Sequence, residues 1–416
     1  MSGNGRPQLE EISMKVLVSA FRCSDVGGSE ACVGYNWVRE LAKRNEVSLI
    51  TSDEQYHDID RVSRYQIPIH HWRLEKFMPG FMASVKPDYF LYNFKAYIKY
   101  KDLVKQSDLY HHITPIGPRY PDLLCAKAKK FIIGPVGGAL TVPISFSNIE
   151  KNEPIYFKSR KLDRYRFNFD PFLKYTYEKA DLIFIVGSYM LDILPECYHF
   201  KTRKMIDVGI SESDYPASET RNSNKRVEIL YVGRIVPYKG LEFLIKSVSK
   251  LRKQTLSLVK VNIVGEGSVY EDYCKKLVHM LGIESHVRFH GKKKKGEVLD
   301  LYRQMDIFCF PTLSEAGGTV LVEAMACGLP VISVNRGGPV EIVGDGGFLI
   351  DPVDEDYLVH EITEKLEFLV NHPEQRRELG ERARKYAFAN HTWCVKGQRL
   401  QKFYEELFTD RQMIPS

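Results

Sequence analysis

Short runs of β-branched and aromatic residues recur along the chain, and stretches with apolar residues at helical spacing separate most of them; this alternation restricts the fold more than composition does. The runs are KVLVSA (15–20), EVSLIT (46–51), KFIIGP (130–135), DLIFIVG (181–187), RVEILYVG (226–233), VKVNIVG (259–265), HVRFHG (286–291), DIFCFP (306–311) and PVISV (330–334). Most are apolar on successive rather than alternate residues, as in strands buried on both faces. Between the fifth and sixth runs, Leu241, Leu244, Ile245, Val248 and Leu251 recur every three or four residues and mark one face of a helix. Such alternation predicts parallel sheets covered by helices.

At 416 residues the chain exceeds what one core serves, so two domains of roughly 200 residues each are expected. The polar, turn-rich stretch ISESDYPASETRNSNKR (210–226) divides two series of runs. The expected organisation is a flexible leader at 1–13, a first α/β domain at 14–210, a linker at 211–226, a second α/β domain at 227–385 and a closing segment at 386–416. The leader MSGNGRPQLEEIS has no apolar segment of the signal-peptide kind. The charge-free stretch from Phe131 to Ile149 is broken by Gly134, Pro135, Gly137, Gly138 and Pro143, which argues against a membrane-spanning helix.

Hydrophobic residues at 44% and charged residues at 27% are ordinary globular values and exclude disordered or collagen-like classes. The eight cysteines form no C-x-x-C pair, so neither a zinc site nor a disulfide framework is expected; the reading is reduced thiols in a cytoplasmic protein. A net charge of +6 suits an anionic small molecule or a membrane surface as well as nucleic acid. The basic stretches Lys292 to Lys295 and KSRKLDRYRF (158–167) lack interleaved base-stacking aromatics, so no nucleic-acid partner is expected.

Open parallel sheets bind ligands beyond the carboxyl ends of their strands, so chemistry is sought just after the runs. After RVEILYVG come Arg234 and Lys239, with Gly240 opening a helix; a guanidinium and an ammonium there can neutralise a diphosphate. A solvated basic loop is the plainer alternative. Gly265-x-Gly267 lacks the third glycine of a dinucleotide fingerprint, since Tyr270 stands in its place. Backbone approach to a nucleotide at Gly265 stays open.

Gly27 and Gly28 follow the first run, and Gly137 and Gly138 follow the third; either pair can bring bare N–H groups to a ligand, or simply form a tight turn. Glu315 and Glu323 flank Gly317, Gly318 and Thr319 ahead of an apolar helical run. Acids near a helix start also cap it. His111 and His112 end an apolar run without metal-ligand spacing, and no metal is expected. Two D-x-D matches occur, Asp58/Asp60 in a polar loop and Asp354/Asp356, the latter better read as a helix cap. The aromatic and basic segment 71–100 fits a lipid surface or a lipid-linked acceptor, or an amphipathic helix covering a groove.

In order, YVGRIVPYKG, VNIVGEGSVY, HVRFHGKKKK, CFPTLSEAGGTVLVEAMACGLPVISV and NRGGPVEIV resemble the carboxyl-terminal half of retaining glycosyltransferases of family 4, the group 1 glycosyltransferases. GGSE, HHITPIGPRYP and GPVGG make the amino-terminal half similar to bacterial surface-polysaccharide members. The resemblance implies the GT-B fold, two Rossmann-like domains facing across a cleft, and transfer of a hexose from a UDP- or GDP-linked donor to a glycan, lipid-linked or small-molecule hydroxyl, with retained configuration and no cofactor or metal. It implies that Arg234 and Lys239 hold the diphosphate with Gly28 opposite, that Glu323 takes the ribose, and that Glu315 with Gly317, Gly318 and Thr319 holds the sugar.

The same resemblance places backbone near Gly291 and Lys292 against the base, and His112, with His111 close behind, near the transferred sugar; Gly265, by its place after a strand, is expected on the donor side, and Gly137 and Gly138 on the acceptor side. Family members often carry His-x-His where this chain has adjacent histidines followed by Ile113. It also implies that the closing helix packs back on the first domain; segment 71–100 opens the option that this cytoplasmic protein works at the inner membrane face. An epimerase or hydrolase of the same architecture, or a non-catalytic sugar-nucleotide binding subunit, are the alternatives.

Overall fold

The computed structural model describes residues 13–26, 29–52, 57–69, 86–150, 163–216 and 226–409. Residues 1–12 of the leader, Gly27 and Gly28, residues 71–85 of the aromatic segment, 158–162 of the basic stretch and 217–225 of the linker lie outside the described residues.

Two parallel sheets form. The first holds β1 (Lys15–Ala20), β2 (Glu46–Thr51), β3 (Val62–Gln66), β4 (Leu109–Thr114), β5 (Phe131–Val136), β6 (Leu182–Ile185) and β7 (Thr202–Lys204) in the order 3-2-1-4-5-6-7. The second holds β8 (Val227–Val232), β9 (Val259–Val264), β10 (Val287–Phe289), β11 (Ile307–Phe310), β12 (Val331–Val334) and β13 (Gly347–Ile350) in the order 10-9-8-11-12-13. Val16 pairs with Val47 on one side and Leu109 on the other, so β1 is the strand from which the order runs both ways. β8 plays that part in the second sheet, between β9 and β11.

Alternation along β1 explains why successive apolar residues are needed. Leu17 packs into one core layer while Val16 and Val18 pack into the layer on the opposite face. Both faces are covered by helices, so no position is left for a polar face. β3, β4, β7 and β13 are strands beyond those expected: β3 is only partly buried at the sheet edge, and β7 is the three-residue Thr-Arg-Lys.

The helices that matter for the site are α1 (Ser29–Ala42), α2 (Pro87–Gln106), α3 (Leu241–Ser249), α4 (Thr319–Ala326), α5 (Glu355–Asn371), α6 (Pro373–His391) and α7 (Trp393–Thr409). Among the described residues no helix is long and apolar enough to cross a membrane; the stretch from Phe131 to Ile149 holds β5 and the turns after it.

The chain crosses between sheets twice, and the crossings are joined: Ile210 N–H donates to the His391 carbonyl at 3.0 Å and Trp393 N–H to that of Ile210 at 2.9 Å. Residue 386, where the closing segment is expected to begin, lies inside α6. Nothing in RARKYAFANH breaks a helix, so α6 runs unbroken to His391 and the backbone turns extended at Thr392. α7 then lies on α1, where Trp393 meets Trp37 edge-on at 5.5 Å and Asn45 donates to Gln401 at 2.8 Å.

Candidate functional site

A cavity of about 590 Å³ lies between the two sheets, where the loops after β1, β4, β5, β8 and β11 converge. Its position follows from topology: the strand order reverses beside β1 and β8, and loops part there to leave a crevice.

The wall from the second sheet begins after β8. Residues Pro237–Lys239 make a tight turn, and Gly240 starts α3. The turn pulls Lys239 inward to 8% exposure, where its ammonium sits 2.5 Å from Glu315 Oε2 and 3.3 Å from the Ser314 carbonyl oxygen. The rings of Tyr238 and Phe310 each lie 5.5 Å from that nitrogen, and their faces favour a cation. Arg234 is exposed at the rim and donates to Tyr238 Oη at 2.8 Å. One buried cation and one exposed one thus line the same cavity.

The loop carrying Glu315 runs through Gly317 and Gly318 into α4, and Thr319 and Val320 also line the cavity. Gly318 adopts φ +126, which favours glycine. Gly338 presses against this loop so closely that a Cβ there would meet the Gly317 carbonyl oxygen at 1.9 Å. The N–H groups that open α4 have no partner within the helix, and they border the cavity.

The opposite wall comes from the first sheet. A side chain on Gly137 would strike Val186 at 2.6 Å, while Gly138 faces open space and donates its N–H to Tyr189 Oη at 3.1 Å. Beside them the walls touch: Ser314 Oγ donates to the Leu140 carbonyl at 2.9 Å and Arg336 to that of Thr141 at 2.8 Å. Glu30 pairs with Lys86 and accepts from Ile116 N–H at 2.9 Å.

Glu323 opens onto a smaller cavity of about 150 Å³ with Tyr215, Lys295 and Tyr302. Val232 lines both cavities. Tyr302 Oη donates to Glu323 at 3.3 Å. Burial pushes the Glu323 carboxyl up to about 7, with the Lys295 charge pulling the other way.

Arg234, Lys239, Glu315, Gly317, Gly318, Thr319, Gly137 and Gly138 therefore share one cavity. Gly265 and Lys292 do not line it. Gly265 packs on Gly233, where a Cβ would meet the carbonyl oxygen at 1.9 Å, and Lys292 is exposed and paired with Glu266 at 2.7 Å. His111 and His112 do not line it either, because β4 is buried at all its positions. His111 is held by Tyr404 Oη at 2.5 Å and the Gly134 carbonyl at 2.7 Å, and burial lowers its pKa to about 3. His112 Nδ1 lies 2.8 Å from Asp122 Oδ2. The resemblance implies a pair near the transferred sugar; in the structure they are mid-strand residues inside the first domain. Gly28 lies outside the described residues.

Four charged lining residues were not singled out from the sequence: Glu30, Lys86, Arg119 and Asp207. Asp207 follows β7, whose polar residues do not read as a strand. Among the described residues no group of three or more His, Cys, Asp or Glu converges as metal ligands. Asp354 caps α5 by accepting from Tyr357 N–H at 2.8 Å.

Residues 215–386, the second sheet with its helices, match the family model of glycosyl transferases group 1. An uncharacterised glycosyltransferase of Methanocaldococcus jannaschii is 31% identical over 249 residues, which are 57% of this chain and 62% of that protein. The chain thus spans less than two thirds of that relative. Among solved structures, a glycosyltransferase from Rickettsia africae superposes with a TM-score of 0.63 at 17% identity, covering 96% of this chain and 99% of the other. HepE of Anabaena in complex with UDP gives a TM-score of 0.60 at 15% identity, covering 94% and 100%. The fold is therefore of the GT-B kind, two α/β domains with parallel sheets.

Proposed function

We propose that this chain is a retaining glycosyltransferase that moves a hexose-type sugar from a nucleoside-diphosphate donor, UDP- or GDP-linked, to an acceptor hydroxyl in polysaccharide or glycoconjugate synthesis. The observation that carries the reading is the charge in the cleft: Arg234 and Lys239 line it together with Glu315 and the glycine pair that opens α4. A diphosphate needs the first set and vicinal hydroxyls suit the second, because a carboxylate accepts two hydrogen bonds at once. The match of residues 215–386 to the group 1 family model and the UDP held by HepE support a nucleoside-diphosphate donor.

Charge grows on the diphosphate as the anomeric bond breaks. Lys239, Arg234 and the free N–H groups of α4 meet that charge where it develops, so they lower the barrier more than they tighten ground-state binding. Glu315 satisfies Lys239; a bound donor shares that ammonium between phosphate and carboxylate. Retention follows a front-face path in which the departing phosphate takes the acceptor proton, with no metal or other cofactor.

Peripheral contact with an anionic lipid surface at the inner membrane face belongs to the same reading. α2 leaves Phe90, Leu91, Phe94 and Ile98 exposed along one face, with Lys95 and Lys99 exposed beside them. All eight cysteines are free thiols, which suits a reducing compartment.

The experiment is a panel of UDP-, GDP- and ADP-sugars scored first for thermal stabilisation and then for nucleotide release with and without acceptors. Stabilisation by one nucleotide class with acceptor-dependent release is expected. No stabilisation by any donor, or release indifferent to every acceptor, would overturn the assignment.

A further inference from the structure

Asp207 stands on the first crossing between the sheets, three residues beyond β7, and its side chain lines the cleft. It is 8% exposed, and its Oδ1 has no hydrogen-bond partner among the described residues. Both carboxylate oxygens face Gly317: a Cβ built there would lie 3.0 Å from Oδ1 and 3.6 Å from Oδ2. Buried carboxylates are ordinarily paired or fully hydrogen-bonded, and one left short of partners demands a reason.

The cation behind Asp207 does not supply it. Lys396, on α7, is itself buried, but its ammonium donates to the Ile206 carbonyl at 2.9 Å. Its field opposes the burial that raises the Asp207 carboxyl to about 6, and so helps to keep the ionised form at neutral pH. Glu315 and Glu30 add negative potential on the same side. A phosphate is repelled from such a place. What fits is a neutral group rich in hydrogen-bond donors, beside the Glu315 and Gly317 loop.

We infer that Asp207 is a specificity-determining residue of the cleft, whose free Oδ1 accepts a hydrogen bond from a hydroxyl of the transferred sugar. The inference rests on the sugar-transfer reading above. It makes the sugar subsite a joint product of both halves of the chain, with Glu315 and Gly317 from the second domain and Asp207 from the crossing. The carboxylate is a selector because it accepts only: a sugar with a hydroxyl directed at it is held, and one lacking that hydroxyl leaves Asp207 unpaired and desolvated.

The test is calorimetric titration of the full chain, wild type and Asp207→Asn, with UDP and GDP alone and with UDP-glucose, UDP-galactose, UDP-N-acetylglucosamine and GDP-mannose. For the nucleotide that wild type binds, the variant is expected to keep its affinity for the free diphosphate within about threefold and to lose roughly 10- to 100-fold for the matching sugar nucleotide, the scale of one hydrogen bond to a charged group. Asp207→Ser, measured alongside with its unfolding midpoint, serves the same comparison should the amide fold poorly. Equal losses on diphosphate and sugar nucleotide, or no loss on either, would overturn the role of Asp207 alone. A wild-type protein that binds none of these nucleotides would overturn the transfer reading and this inference with it.

Discussion

The Lys239 ammonium and the Glu315 carboxylate stand 2.5 Å apart in the cleft, although their side chains come from loops that follow different strands. The contact neutralises both groups. Lys239→Ala would leave Glu315 facing incoming phosphates uncompensated. Its kcat/KM is expected to fall by about 10²- to 10³-fold, the usual loss when one donor to a developing charge is removed. Lys239→Arg should not rescue it, because the planar guanidinium cannot occupy the same space between Tyr238 and Phe310. Steady-state kinetics with the best donor from the panel measures both.

Removing both partners tests whether they act as a unit. Glu315→Ala alone leaves a buried ammonium without its anion, and the double variant removes that conflict. The double variant is expected to be no slower than the slower single variant, and its unfolding midpoint should exceed that of Glu315→Ala. Strictly additive losses would contradict the coupling.

Glu323 ties stability to pH. When folded it keeps its proton up to about pH 7, whereas the unfolded side chain releases it near 4.5. Between those values the folded state binds more protons, so stability falls as pH rises through that window. Glu323→Gln should abolish this fall and leave the variant more stable than wild type above pH 7, by roughly 3–4 kcal/mol at about 1.4 kcal/mol per unit. The two should converge near pH 4. Thermal melts across pH provide the comparison, and a nucleoside whose ribose donates to Glu323 should flatten the wild-type slope.

Gly338 is a steric keystone for the loop at the opening of α4. Gly338→Ala drives a methyl into the Gly317 carbonyl oxygen, and the loop must shift. The expected cost is about 1–3 kcal/mol in stability, together with loss of donor binding. A variant that melts and binds as wild type would show that the loop accommodates the methyl.

Trp393 anchors the return of the chain to the first domain, packed edge-on against Trp37 and buried to 5% exposure. Trp393→Ala should cost roughly 3–5 kcal/mol, as for other large aromatics removed from a core. Denaturant unfolding would register the loss, and an unchanged midpoint would mean that α7 is held elsewhere.

Much of this architecture was legible in the sequence because strands buried on both faces must be apolar at every position, as in ILYV (229–232) and IFCF (307–310). Edge strands escaped for the opposite reason: Val62–Gln66 and Thr202–Lys204 meet solvent and carry no such signature. The histidines misled because a polar residue inside an apolar run reads as its end. In β4 the run continues: Tyr404 and the Gly134 carbonyl hold the His111 ring inside the fold, and the His112 ring lies beside Asp122. The cleft residues on the second domain were legible because they sit together, just after strands. Glu30, Lys86, Arg119 and Asp207 come from four separated segments, and only the packing of the chain brings them to the cavity of Lys239.

The paired bonds between Ile210 and the His391 to Trp393 segment fasten both crossings at a single point. Any parting of the two walls must then be a swing about that pivot rather than a sliding apart. Groups near the axis, Asp207 among them, travel little, while those at the mouth sweep the widest arc. The chain can therefore admit and release a large ligand at one end while the other end keeps its shape, and selection by shape need not be rebuilt at each turnover.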